Sequence, residues 1–137
     1  MSSIFSKRRG NKETTQKQFN EWVKSIIVNK SPGAKIIVYN FGIFQSKNGY
    51  KLYLAGFENY EIENDDWAAG LGDFIPENNY FDLPDKEFTD LDWESVQNKV
   101  VELITNLIST NEFESSFLND SRAITTGFDD GDLIRIN

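Results

Sequence analysis

Between positions 14 and 29 the apolar residues Phe19, Trp22, Val23, Ile26 and Ile27 recur at i, i+3, i+4, i+7 and i+8, which draws one stripe along a helix. Thr15 and Gln18 fit a capping box at its start. Ser31-Pro32-Gly33 ends it, because proline cannot continue a helix and glycine permits the reversal. The period then changes. "KIIVYNFGIFQ" (Lys35–Gln45) and "YKLYLAGF" (Tyr50–Phe57) are rich in β-branched and aromatic residues, and Asn48-Gly49 between them is a two-residue hairpin signal. In the first of these strands both alternating sets are largely apolar: Ile37, Tyr39, Phe41 and Ile43 against Ile36, Val38 and Phe44. It is therefore predicted to be a central strand, covered at least in part on both faces.

From Glu58 to Asp92 no period holds. Gly70, Gly72, Pro76 and Pro84 interrupt any regular element, and a short strand at Tyr60–Ile62 is the most the pattern suggests. A second helix follows over Trp93–Thr110, with Val96, Val100, Leu103, Ile104, Leu107 and Ile108 as its stripe, Asp92 placed as its N-cap and Glu94 in its first turn. Phe113, Phe117 and Leu118 add a last turn or a short helix. Ala123–Phe128 and Leu133–Ile136 read as two strands around Asp130-Gly131, again a hairpin pair. The order α-β-β-(irregular acidic region)-α-β-β predicts an α+β fold: an antiparallel sheet of two hairpins, about four to five strands in all, packed by two main helices. Residues 1–12, which include "SKRRGNK", are expected to be a mobile basic tail, and residues 13–137 one domain.

Composition narrows the chemistry. The 137 residues include 11 Phe, 3 Trp and 5 Tyr, enough for a core that needs no covalent staples. With no Cys and no His, disulfides, thiolate metal sites, Ser-His-Asp and Cys-His catalysis and histidine-based zinc chemistry all fall away. No apolar run nears the roughly 20 residues of a membrane span, and the first residues lack the apolar segment of a signal peptide, so a cytoplasmic protein without membrane contact is expected. The charge is divided. Residues 1–35 carry a net +6 and residues 36–137 a net −14, giving −8 in all, and Glu58–Glu94 alone holds thirteen acids against the single Lys86. A body of this sign repels nucleic acid and attracts basic partners.

The acids are the candidate chemistry. Asp129, Asp130 and Asp132 admit three readings: a turn with Asp130-Gly131 at its centre and Asp129 and Asp132 beside it, a metal site, or a partner contact. Their spacing does not fit a calcium loop. Glu58, Glu61, Glu63, Asp65, Asp66 and Asp73 are too many and too close together to nominate the two carboxylates of a glycosidase-like pair. That window fits a solvated surface or a protein-binding surface. Its interleaved aromatics (Tyr60, Trp67, Phe74, Tyr80, Phe81, Phe88 and Trp93) favour binding, since hot spots use such rings and surrounding acids speed capture of a basic partner. Trp67 and Trp93 are each expected in the core. Gly70-x-Gly72 lacks a third glycine, a βα context and a basic residue, so no nucleotide site is read there.

"NFGIF" (Asn40–Phe44), "DDWAAG" (Asp65–Gly70), a helix beginning after "DW" (Asp92-Trp93) and "GFDDGDLIRI" (Gly127–Ile136) together resemble small acidic bacterial proteins of the polymorphic-toxin immunity type. The resemblance runs from about Lys35 to the C-terminus and carries no catalytic residues with it. It implies a non-enzymatic protein that neutralises a toxin domain by occlusion; the acidic body makes a basic domain the expected partner, and a monomer or weak dimer is expected. The residues expected at that interface are Glu58, Tyr60, Glu61, Glu63, Asp65, Asp66, Trp67, Asp73, Asp129 and Asp132, with no cofactor and no metal. The alternatives are a carboxylate- or metal-dependent enzyme, and a structural or adaptor subunit.

Overall fold

A computed structural model of the chain describes residues 14–29, 31–32, 35–47, 49–70 and 72–137. The expected tail at 1–12 and the turn residue Asn48 lie outside them. The fold is α+β, with a five-stranded mixed sheet carrying helices on one face. Helix α1 (Thr15–Asn29) is followed by β1 (Val38–Ser46), β2 (Gly49–Phe57) and β3 (Tyr80–Asp82). Then come a four-residue helix α2 (Asp85–Phe88), the long α3 (Trp93–Ile108), a second short helix α4 (Asn111–Glu114), and strands β4 (Ala123–Phe128) and β5 (Ile134–Arg135). In space the strands run β3-β2-β1-β4-β5.

Both expected hairpins form, and each is antiparallel. They join by a parallel pairing of β1 with β4, Val38 opposite Ala123 through Ile43 opposite Phe128. The sheet is mixed, where a wholly antiparallel one was expected, because α3 lies on one face as a crossover and returns the chain to the end where β1 starts. The fifth strand is β3, not Tyr60–Ile62, which is coil. Its alternation turns Phe81 inward and leaves Tyr80 and Asp82 exposed. Ser46 pairs with Gly49, so Gly49 (φ 114°) is the first residue of β2, one step outside the loop where the sequence had put it.

The helical stripes bury as their periods predict. Phe19, Val23 and Ile26 of α1 and Val96, Val100, Ile104 and Leu107 of α3 meet Phe41, Ile43, Leu52, Leu54 and Ile124 on one sheet face. Burying each such side chain contributes about 1.5–3 kcal/mol. Aromatic packing locks α1 in place: Phe19 lies 5.6 Å from Phe41, and Trp22 stacks on Phe81 at 5.4 Å. Trp22 Nε1 also donates to the Asn78 carbonyl at 2.7 Å, tying the helix to the segment before β3. The α1 cap is Thr14, whose Oγ1 accepts from Lys17 N. Thr15, the first helical residue, instead donates to Glu87 on α2. Asp92 caps α3 as expected, accepting from Ser95 N at 2.8 Å. That hydrogen bond holds the Asp92 carboxyl below its ordinary range, so its stabilising effect is lost as pH falls through that lowered value. Trp93 is not core. It is 61% exposed, because a side chain at the first helical position leans back beyond the helix end. It borders a groove shared with Phe44, Tyr50, Gln97 and Phe128.

Among the described residues the opposite sheet face carries no α-helix. Val38, Ala55, Phe57 and Ala123 make a small second core there, covered by Tyr60, Trp67 and Ala68 from the acidic segment. Trp67 meets Phe57 and Tyr60 edge to face at 5.3 and 5.2 Å. The segment is fixed at its return by paired backbone bonds between Gly56 and Phe74. It is an ordered strap across the sheet, not a free acidic loop. Among the described residues no helix is long and apolar enough to cross a membrane.

Candidate functional site

The strap leaves part of that second face open. Between Asp65–Gly70 and the β4–β5 loop lies a cleft of about 580 Å³. Three stretches far apart in the sequence form it. "NFGIF" on β1 supplies Asn40, "DDWAAG" supplies Asp65, Asp66 and Ala68–Gly70, and "GFDDGDL" supplies Gly127–Asp129, Gly131 and Leu133. Tyr53, Ile75, Asn79 and Tyr80 complete the lining, which contains no lysine or arginine among the described residues.

Glycines in the sheet create the floor. Gly42 pairs with Tyr53 on one side and Gly127 on the other. A Cβ at Gly42 would overlap the ring carbons and hydroxyl of Tyr53, so the phenol lies flat across β1 only because residue 42 has no side chain. The Tyr53 hydroxyl then reaches β4's end and donates to Asp129 Oδ1 at 2.7 Å. At Gly127 a Cβ would come within 2.7 Å of the Asp132 carbonyl, so the loop folds back tightly over this residue. Asp65 draws the strap and the loop together: its Oδ2 accepts from Leu133 N at 3.0 Å. Asp65 is itself held by a 3-10 turn over Asp65–Ala68, started by Asn64, whose side chain accepts from Asp66 N at 2.9 Å.

The loop differs from a two-residue turn on Asp130-Gly131. Gly131 N donates to the Phe128 carbonyl at 3.0 Å, which puts Asp129 and Asp130 at the centre of a β-turn. Strand β5 does not begin until Ile134. The reason is competition: Leu133 N is bonded to Asp65 and does not pair with β4.

The ten expected interface residues do not form one surface. Asp65, Asp66 and Asp129 meet at the cleft. Asp132 faces the neighbouring groove beside Trp93, with Asp129 on the ridge between the two. Tyr60, Glu61 and Glu63 border a separate hollow with Arg122 and Arg135, the latter 5.7 Å from the Tyr60 ring. Asp73 is occupied locally, its Oδ2 accepting from Glu58 N at 2.8 Å, and Trp67 is packed against the sheet. The sequence reading missed Asn40, Tyr53 and Ile75, and named Tyr80 only among the aromatics of the acidic window. Asn40 left a trace, as the one amide within the apolar stretch Ile36–Phe44. Tyr53 left none, since its role depends on Gly42 in the neighbouring strand. Among the described residues no three carboxylates stand close enough together to hold a metal ion.

Burial, the bond to Asp129, that carboxylate's charge and the nearby Tyr80 push the Tyr53 hydroxyl far above the ordinary tyrosine range. Burial, then the charge of Asp120, does the same to Tyr39. Both folded values exceed the unfolded value of about 10, so the stabilisation is complete below that pH and is lost as pH rises beyond it. An absorbance titration should therefore show two of the five tyrosines failing to ionise in the first alkaline step, and Tyr53→Phe should leave only one such residue. Five equivalent ionisations near pH ~10 would show that neither ring is held as described.

No family model, curated protein or solved structure matches this chain.

Proposed function

We propose that the protein is a non-catalytic binding module of the immunity type, which neutralises a basic toxin domain by covering it with the cleft face. One observation carries this reading: the cleft combines three carboxylates with two outward apolar side chains, Ile75 at 47% and Tyr80 at 62% exposure. Apolar anchors ringed by like charge are what a protein interface uses, the rings for affinity and the charge for capture. The overall charge of −8 extends the attraction to longer range. Three of the four sequence features that carry the resemblance to immunity proteins also line the cleft, which further supports the reading.

The test is co-expression with the product of the adjacent gene. The expected result is a stable complex and cells protected from that product; neither a complex nor protection would sink the reading. Asp66 makes no side-chain hydrogen bond among the described residues, so Asp66→Lys should leave folding intact. It should slow association about tenfold at low salt, with the difference shrinking as salt is added. An unchanged on-rate would remove the acidic face from the capture step.

A further inference from the structure

The cleft has a polar floor beneath its acidic mouth. Asn40 is 3% exposed, the third residue of β1, on the face the strap covers. Its Oδ1 accepts from Thr125 Oγ1 at 2.9 Å. Its amide nitrogen has no hydrogen bond among the described residues, and the residue lines the cleft. The nitrogen is not sealed from solvent, so this side of the amide opens on the cleft. Thr125 can accept as well as donate, so turning the amide over presents Oδ1 to the cleft while the threonine bond survives. Above this floor each carboxylate keeps an oxygen without a partner among the described residues. Asp65 uses only Oδ2, Asp129 only Oδ1, and Asp66 neither. The Tyr80 ring stands exposed at the mouth.

We propose that this cleft receives the guanidinium of an arginine side chain presented by the partner protein, with Asp65, Asp66 and Asp129 as ion partners, Tyr80 as the stacking face and the turned Asn40 amide as the floor acceptor. The inference rests on the binding reading above and names the chemistry of its partner. Arginine fits better than lysine. Its planar fork spreads five donors over separated acceptors and stacks on an aromatic face, whereas an ammonium presents three donors from one point.

The experiment titrates the isotope-labelled full chain with the capped tripeptide Gly-Arg-Gly, and in parallel with its lysine and citrulline counterparts, following amide resonances. The expected result is saturable shifts at the Asn40 side-chain amide, at Asp66–Gly70 and at Gly127–Leu133, weaker with lysine and absent with citrulline. Asp66→Asn combined with Asp129→Asn should weaken the arginine peptide about tenfold or more while the rest of the spectrum stays dispersed. Shifts that do not saturate, that fall elsewhere, that citrulline or lysine reproduces in full, or that survive the double substitution would overturn the proposal. A chain that protects cells yet ignores the arginine peptide loses the arginine cleft and keeps the immunity reading. A chain that binds the peptide at these residues but has no toxin partner keeps the cleft and loses that reading.

Discussion

Phe41→Ala should lower the unfolding free energy by about 3–5 kcal/mol, read as a shifted urea midpoint and a melting temperature lower by roughly 10–20 °C. Phe41 is fully buried, and its ring meets Phe19 at 5.6 Å and Trp22 at 6.2 Å. Those two rings are the main hold of α1 on the sheet. Two β-strands and a helix frame the hole that alanine would leave, and none can move inward without unseating its own neighbours. The lost contacts are therefore not recovered by collapse. A loss below about 1 kcal/mol, outside the range for such truncations, would mean α1 is not docked as described. The cleft lies on the other face, so arginine-peptide shifts in the surviving folded protein should persist.

The next residue along β1 should behave in the opposite way. Gly42→Ala is expected to cost about 2–4 kcal/mol and to abolish partner binding. The new methyl group would occupy the space of the Tyr53 ring, so the ring must leave the floor and its hydroxyl must release Asp129. Both an overpacking term and a lost bond to a charged acceptor contribute. Adding Tyr53→Ala to Gly42→Ala should recover part of the stability, a coupling that a double-mutant cycle measures. Additive effects of the two substitutions would show that ring and glycine do not meet. The alkaline titration gives an independent check, because a displaced Tyr53 should ionise at lower pH than it does in the intact protein.

These neighbours show what was legible in the sequence. Phe41 belongs to an apolar set at period two, and its burial follows from that pattern together with the helical stripes that cover it. The α3 cap at Asp92 and the central place of β1 follow from equally local signals. Gly42 carried no such signal, because its reason lies in Tyr53 on the next strand, and register between strands is not written in either strand alone. The parallel joining of the two hairpins was hidden for the same reason. The acidic window was readable as charge but not as shape. Most of its aromatics (Phe74, Phe81, Phe88 and Trp67) are spent on packing, while Tyr80 points outward because Phe81 beside it must point in. Asp65 and Leu133, whose contact closes the cleft, stand 68 positions apart, beyond the reach of any periodicity.

The pairing of β1 with β4 also sets the tempo of folding. Asn40 and Thr125 are separated by 85 positions, so the central ladder can zip only after a long stretch of chain has been looped and its closure entropy lost. Domains dominated by such distant contacts fold slowly, on the order of milliseconds to seconds. Helix α1 and the β1–β2 hairpin draw on near neighbours and can nucleate early. The cleft cannot, because its walls stand on either side of that last closure. A half-assembled chain would carry the charge but not the cleft, and binding of the arginine peptide during refolding should lag behind the recovery of helical signal.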